Sequence, residues 1–398
     1  MTAVFLQHNA PPRGVRRPGT LSKSLGIEAL PCTMMRGGTS RGAFFSSADL
    51  PRDSDLRDRV LLAALGSPHP LQVDGIGGGN PLTSKVAVVG PSSHPRADVD
   101  YLFAQVSVDQ AKVDTRATCG NILAAVGPYA IEAGLVAARS PVTTVRIHNT
   151  NSGTLTVATL DTPGKRLRYD GDQVLAGCNT PAAPVRLSFV EAAGSITGRL
   201  LPTGLPVEEI DGVPVSLVDY AIPVMIVEAR WLGLTGGESP AIIDADRGLL
   251  DRIERMRRAA GTRMGLGDVS QSVTPKVALV SPPREGGTVS SRYLTPWRCH
   301  LSHAVTGALC LTAAARLAGT VAAVAATGTA AIQSWVEVEH PSGALRVECD
   351  GAGDGLVTSV VRTARLLFRG HVYVPSLAVR ADPVGEPARS PLPLALAT

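Results

Sequence analysis

The sequence predicts an α/β protein of the α+β kind, built from two pseudo-symmetric domains. Each is expected to curl a mixed β-sheet around a central apolar helix. Two observations carry this. The order helix, strand, strand, apolar helix, strand pair runs twice along the chain. Both late helical segments, following Cys119 and in "AVTGALCLTAAARLAG" (304–319), are apolar on nearly every face, as expected of helices wrapped by sheet. A length of 398 residues is enough for two such domains, and two unrelated α/β domains with ordinary core helices are the other reading.

Taken in order, 54–65 ("SDLRDRVLLAAL") reads as an amphipathic helix and 84–90 and 99–108 ("SKVAVVG", "VDYLFAQVSV") as strands. The segment from Cys119 supplies the first apolar helix, which Pro128 should kink or divide. The stretches 142–149 and 153–160 ("VTTVRIHN", "GTLTVATL") alternate as a hairpin. The second half begins near "PVSLVDY" and continues through one long helix, 241–259, and the strands 276–280 ("KVALV") and 289–294 ("VSSRYL"). After the second apolar helix come "SWVEVEH" and "ALRVEC". The expected division is a disordered extension (1–27), a first domain (28–190), a second domain (191–376) and a loose tail (377–398). The last strand is free to return to the first domain.

Composition narrows the function. Hydrophobic residues make up 44%, charged residues 18% and aromatics 4%, which describes a globular chain. No run approaches the roughly 18 uncharged apolar residues of a membrane span. Lys plus Arg exceed Asp plus Glu by 38 − 34 = 4, and Arg13, Arg16, Arg17 and Lys23 account for much of that excess. A near-neutral folded part argues against a nucleic-acid surface. Six cysteines without a CxxC pair make neither a disulfide framework nor a zinc ribbon, which points to a reducing compartment, the cytoplasm. The basic, acid-poor start is read as a disordered extension, with an organelle transit peptide as the other reading. A homodimer is the one assembly entertained.

Four stretches could carry chemistry. Cys119 precedes a helix start, where the dipole and free N–H groups favour a thiolate; a buried inert cysteine is the alternative. In 74–89 ("DGIGGGNPLTSKVAVV"), Gly75, Gly77, Gly78 and Gly79 permit close backbone approach, and Thr83, Ser84 and Lys85 follow Asn80–Pro81. The dinucleotide fingerprint fails at Asn80, and the P-loop pattern fails because Ser84 precedes Lys85. Lys85 opens an apolar strand; pointed into a cleft it is a usable base, and otherwise an exposed lysine. In "MMRGGTSRGAFF", Gly37 to Ser40 form a tight turn that offers hydroxyls and N–H groups beside Arg36 and Arg41, with an ordinary hairpin turn as the equal alternative. In "RCHLSHAVTG", Cys299, His300 and His303 have only His340 to complete a metal site, so no metal is expected. Cys310 reads as core. No serine-hydrolase elbow or zincin motif occurs.

Taken together, "PCTMMRGGTSRGAFF", "QVDGIGGGNPLTSKVAVV", "TCGNIL", "MGLGDV", "TGALC", "EHPSGALRV" and "RTARLLFRGHVYVP" strongly resemble the PrpF family, over residues 29–375. That family includes 2-methylaconitate isomerase, 3-methylitaconate isomerase and 4-oxalomesaconate tautomerase; "GIGGGNPLTSK" and "MGLGDV" look most like the last group. The resemblance implies a diaminopimelate-epimerase-like fold. It also implies cofactor-free isomerisation by a 1,3-allylic proton shift in a small unsaturated tricarboxylate, most like 4-oxalomesaconate. The family's functional serine, lysine and cysteine fall on Ser40, Lys85 and Cys119. Lys85 and Cys119 become the expected acid–base couple. Thr39, Ser40, Gly78, Gly79, Asn80, Ser84, Gly120, Asn121, His300, Thr306 and Gly307 become the expected substrate contacts. Against two-cysteine epimerases the chain departs: Ala304 occupies the matching second position, which disfavours a racemase. An isomerase of 2-methylaconitate, aconitate or methylitaconate, and a non-catalytic partner of an aconitase-like enzyme, are the alternatives.

Overall fold

A computed structural model describes residues 26–379 apart from 116, 117, 296, 329 and 331. The expected extension up to residue 25 and the tail from residue 380 lie outside the described residues. Within them the chain runs β1 (Ile27–Gly37), β2 (Ser40–Ser46), α1 (Ser54–Leu65), β3 (Lys85–Pro91), β4 (Val99–Val106) and β5 (Val113–Asp114). Next come α2 (Gly120–Leu123), α3 (Val126–Glu132), β6 (Val142–Asn149), β7 (Thr154–Asp161) and β8 (Pro184–Val190). The second half holds β9 (Glu208–Ile210), β10 (Val213–Tyr220), β11 (Ile222–Glu228), α4 (Pro240–Ala245), α5 (Arg247–Arg263), β12 (Lys276–Ser281) and β13 (Val289–Leu294). It ends with α6 (Val305–Ala315), α7 (Val321–Ala325), β14 (Trp335–His340), β15 (Gly343–Asp350), β16 (Val357–Pro375) and α8 (Ser376–Val379).

The pairing of strands repeats between halves. β2–β3 and β11–β12 are parallel, while β3–β4 and β12–β13 are antiparallel. β4–β6 and β13–β14 are parallel, while β6–β7 and β14–β15 are antiparallel. Registers match as well: Gly42 faces Lys85, and Val224 faces Lys276. β16 joins the halves, pairing with β8 over Thr358–Thr363 and then with β1 from Ala364 to Pro375.

Alternation along the strands sorts side chains between two layers. Val86 and Val88 of β3 join Leu61 and Leu65 of α1 on the outside, and Val277 and Leu279 join Ile253 and Met256 of α5. Ala87, Val89, Ala278 and Val280 face the central core around α2, α3 and α6. Position parity therefore aims Lys85 and Lys276 at the inner face.

Helix ends follow local chemistry. Asp53 caps α1 by accepting from the Leu56 N–H, and Gly66 closes it at φ 75°. The first apolar helix divides between Leu123 and Val126. Pro128 lacks the N–H that would reach Ala124, and its ring crowds that carbonyl. Every residue of α6 is buried. One expectation is corrected: the helix at 241–259 is two helices, α4 and α5. They part at Asp246 (φ −87°, ψ 91°), whose side chain accepts from the Leu249 N–H and so starts a new helix.

Candidate active site

Both central helices begin at the same place. Cys119 and Ala304 are the residues preceding α2 and α6, and neither caps its helix with a side chain. A Cβ added to Gly120 would stand 2.7 Å from Val305 Cβ, so only glycine lets the two starts meet this closely. The β1–β2 turn packs on α2 in the same way: a Cβ on Gly38 (φ 51°) would fall 2.1 Å from Asn121 Oδ1.

A cavity of about 420 Å³ opens where the halves meet, within the ~300–1,000 Å³ range of small-molecule sites. Seven of the expected residues line it: Ser40, Lys85, Cys119, Gly120, Asn121, His300 and Thr306. Lys85 is 8% exposed; its Nζ donates to Gln105 Oε1 (2.6 Å) and sits 5.2 Å from the Phe103 ring centroid. Gln105 Nε2 in turn donates to the Ser84 carbonyl (3.0 Å), which fixes the amide's orientation.

The polar atoms of the wall carry the chemical information. Ser40 Oγ, Thr118 Oγ1 and Tyr293 Oη are buried, line this cavity, and find no hydrogen-bond partner among the described residues. Buried polar atoms are nearly always paired in native proteins, and an unpaired one costs about 1–3 kcal/mol. Three around one cavity mark where a polar ligand completes the set. Burial raises the Tyr293 phenol well above its ordinary range, so it stays protonated and can donate. His300 is held below the ordinary histidine value chiefly by burial, and its Nδ1 accepts from the Ser302 N–H (3.0 Å). The neutral ring then carries its proton on Nε2, a further donor.

Six of the expected contacts do not line this cavity. Gly78, Gly79, Asn80 and Ser84 belong to a loop folded around Gln72, which is 1% exposed. Gln72 Oε1 accepts from the Gly79 N–H (2.9 Å) and the Ser84 hydroxyl (2.6 Å), and Asn80 Oδ1 accepts from the Leu82 N–H (2.8 Å). The glycines accommodate a side chain of the protein itself; Pro81 and Leu82 are what the loop shows the cavity. Gly307 makes room for the Tyr293 ring, which a Cβ there would meet at 2.3 Å. Thr39 accepts from Asn121 Nδ2 (3.1 Å) and lies in a neighbouring cleft of about 530 Å³. His303 is no ligand candidate, because it is buried and its two ring nitrogens are engaged by the Ala304 carbonyl and Ser291 Oγ.

A stability prediction follows from the loop. Gln72→Ala leaves the Gly79 N–H and the Ser84 hydroxyl without this acceptor, and should cost about 1–3 kcal/mol, read as a lowered urea midpoint.

Residue reasoning missed Thr118, Tyr293, Gln105 and Lys276 on this wall. A signal existed for Lys276: "KVAVV" and "KVALV" place a lysine at the same point of both repeats.

Two pseudo-symmetric halves with helix starts facing a polar cavity between them define a diaminopimelate-epimerase-like fold, and the protein's relatives make it an isomerase. The chain belongs to the PrpF family: the family described as "PrpF protein" matches residues 27–375. It is 50% identical over 354 residues to the putative isomerase YbhH of Escherichia coli K12, covering 88% of this chain and all of that one. It is 47% identical over 352 residues to the 4-oxalomesaconate tautomerase of Pseudomonas putida KT2440, covering 88% and 97%. The crystal structure of a methylitaconate-delta-isomerase superposes with a TM-score of 0.80 at 35% identity, over 91% of this chain and all of that one.

Proposed function

We propose that the protein shifts a proton across an allylic unit of a small unsaturated tricarboxylate, with 4-oxalomesaconate as the substrate. The observation that carries this is the cavity wall: an amine and a thiol from different elements, with unpaired buried hydroxyls between the two helix starts. A C–H that is both allylic and next to a carbonyl or carboxylate is acidic once the resulting dienolate is stabilised. In this reading one of Lys85 and Cys119 takes that proton, the C–H electron pair delocalises onto the substrate's oxygens, and the other returns a proton at the far end. Ser40, Thr118, Tyr293 and His300 supply donors to the carboxylates and the developing enolate. The reading invokes no cofactor, since proton gain and loss balance within the substrate. Six free thiols fit a reducing cytoplasm.

The test is to incubate the purified protein with 4-oxalomesaconate, 2-methylaconitate and cis- and trans-aconitate while following ultraviolet absorbance. Fastest turnover of 4-oxalomesaconate supports the reading. Preference for another member of the set redirects the substrate, and silence on all of them favours a non-catalytic binding role.

A further inference from the structure

The cavity holds a second lysine that the couple above leaves unused. Lys276 opens β12 as Lys85 opens β3, in matching register with the preceding parallel strand. Both line the cavity, one from each half. Their surroundings differ in one respect. Lys85 is tied to Gln105, whereas the position equivalent to Gln105 is Thr295, whose short side chain turns to the Arg298 carbonyl (3.5 Å). Lys276 Nζ makes no hydrogen bond to any described residue.

The charge balance of the wall gives this lysine a task. Among the described residues its charged side chains are Lys85, Lys276 and Asp114, with no arginine. Lys85 is already tied to Gln105 and committed to the proton, and a desolvated polyanion calls for a further cation on this wall. We propose that Lys276 is a catalytic residue of this site, its ammonium binding the substrate oxygens that gain charge as the proton leaves, opposite the proton-transfer couple. This rests on the isomerisation proposed above and adds the group that holds the intermediate.

The groups facing Lys276 tune it. Behind it, Arg257 of α5 is fully buried and fixed by Glu254 (Nε to Oε2, 2.6 Å) and by the carbonyls of Val269 and Pro275. Asp114 of β5 opposes that repulsion, and His300 and Lys85 share the cavity. Burial first, and then Arg257, lower Lys276 to about 8. The ammonium is therefore present below about pH 8 and lost above it, where a bound polyanion would hold its proton on.

The experiment compares wild type with Lys276→Met and Lys276→Arg, using 4-oxalomesaconate for kinetics and the unreactive tricarballylate for calorimetric binding. Removing one electrostatic donor of this kind costs about 10²–10³-fold. For Lys276→Met, kcat/KM should fall by about that factor and tricarballylate binding should weaken at least about tenfold, with an unchanged melting midpoint. Lys276→Arg, which stays charged, should keep most of its binding. The wild-type fall in kcat/KM above about pH 8 should move upward by a pH unit or more in Lys276→Arg. Lys276→Met kinetics and binding within about threefold of wild type, or a limb that stays put in Lys276→Arg, overturn the proposal. An inert wild type that still loses tricarballylate on Lys276→Met would sink the isomerase reading and keep Lys276 as an anion anchor. An inert wild type that binds no tricarballylate would sink both.

Discussion

Cys119→Ala should lose about 10²–10⁴-fold in turnover while the protein remains folded, because general acid–base transfer by a positioned group is worth that much. The loss should appear in kcat, since a proton that cannot be moved is missed in the transition state and not in binding. Folding should survive, because the Cys119 side chain makes no cap hydrogen bond and is only partly buried. The control is Cys310→Ala. That thiol is fully buried in α6, burial pushes it far above the ordinary thiol range, and it touches the Val218 carbonyl at 3.4 Å. It should cost some stability, about 0.5–3 kcal/mol, and leave kcat within about threefold. Stopped-flow rates and melting curves on the two variants separate a reacting cysteine from a packing one.

Lys85→Met should lose turnover on the same scale, about 10²–10⁴-fold, with a modest destabilisation because Gln105 Oε1 is left without its donor. The diagnostic variant is Lys85→Arg. A guanidinium keeps the charge but does not give up a proton near neutral pH, so it should fail to rescue turnover. Lys276→Arg should rescue its own position, because there only the charge is asked for. The same substitution therefore has opposite outcomes at the two pseudo-equivalent lysines. Rescue at both positions would reduce Lys85 to an anion anchor as well.

The fold was legible because it is repetitive. Alternation in "KVAVV" and "KVALV" fixes which side chains face inward, and the capping residues Asp53 and Gly66 bound α1 where the periodicity ends. The break ahead of Pro128 follows from a missing N–H. Asp246 was harder to read, since an aspartate inside an otherwise amphipathic run shows its capping role only once the backbone turns there. The site was legible where one residue carries distinctive chemistry, as with Lys85 and Cys119. It was not legible where the partner is distant. Gln72 claims the glycine loop from within the same segment, yet no pattern announces that its amide meets the residue 79 N–H. Tyr293 reaches the cavity only because Gly307 lies under its ring. Such contacts depend on the strand register between segments far apart in the chain.

The central claim is that one bound polyacid exchanges carbon-bound protons with side chains of this interdomain cavity. Turnover of 4-oxalomesaconate in deuterium oxide, followed by proton nuclear magnetic resonance, tests it most directly. Solvent deuterium should appear at a carbon terminus of the transposed allylic unit in wild type, and incorporation should slow with turnover in Cys119→Ala and Lys85→Met. Product formed with no solvent deuterium in its carbon skeleton, or incorporation at wild-type rate in both variants, would contradict it.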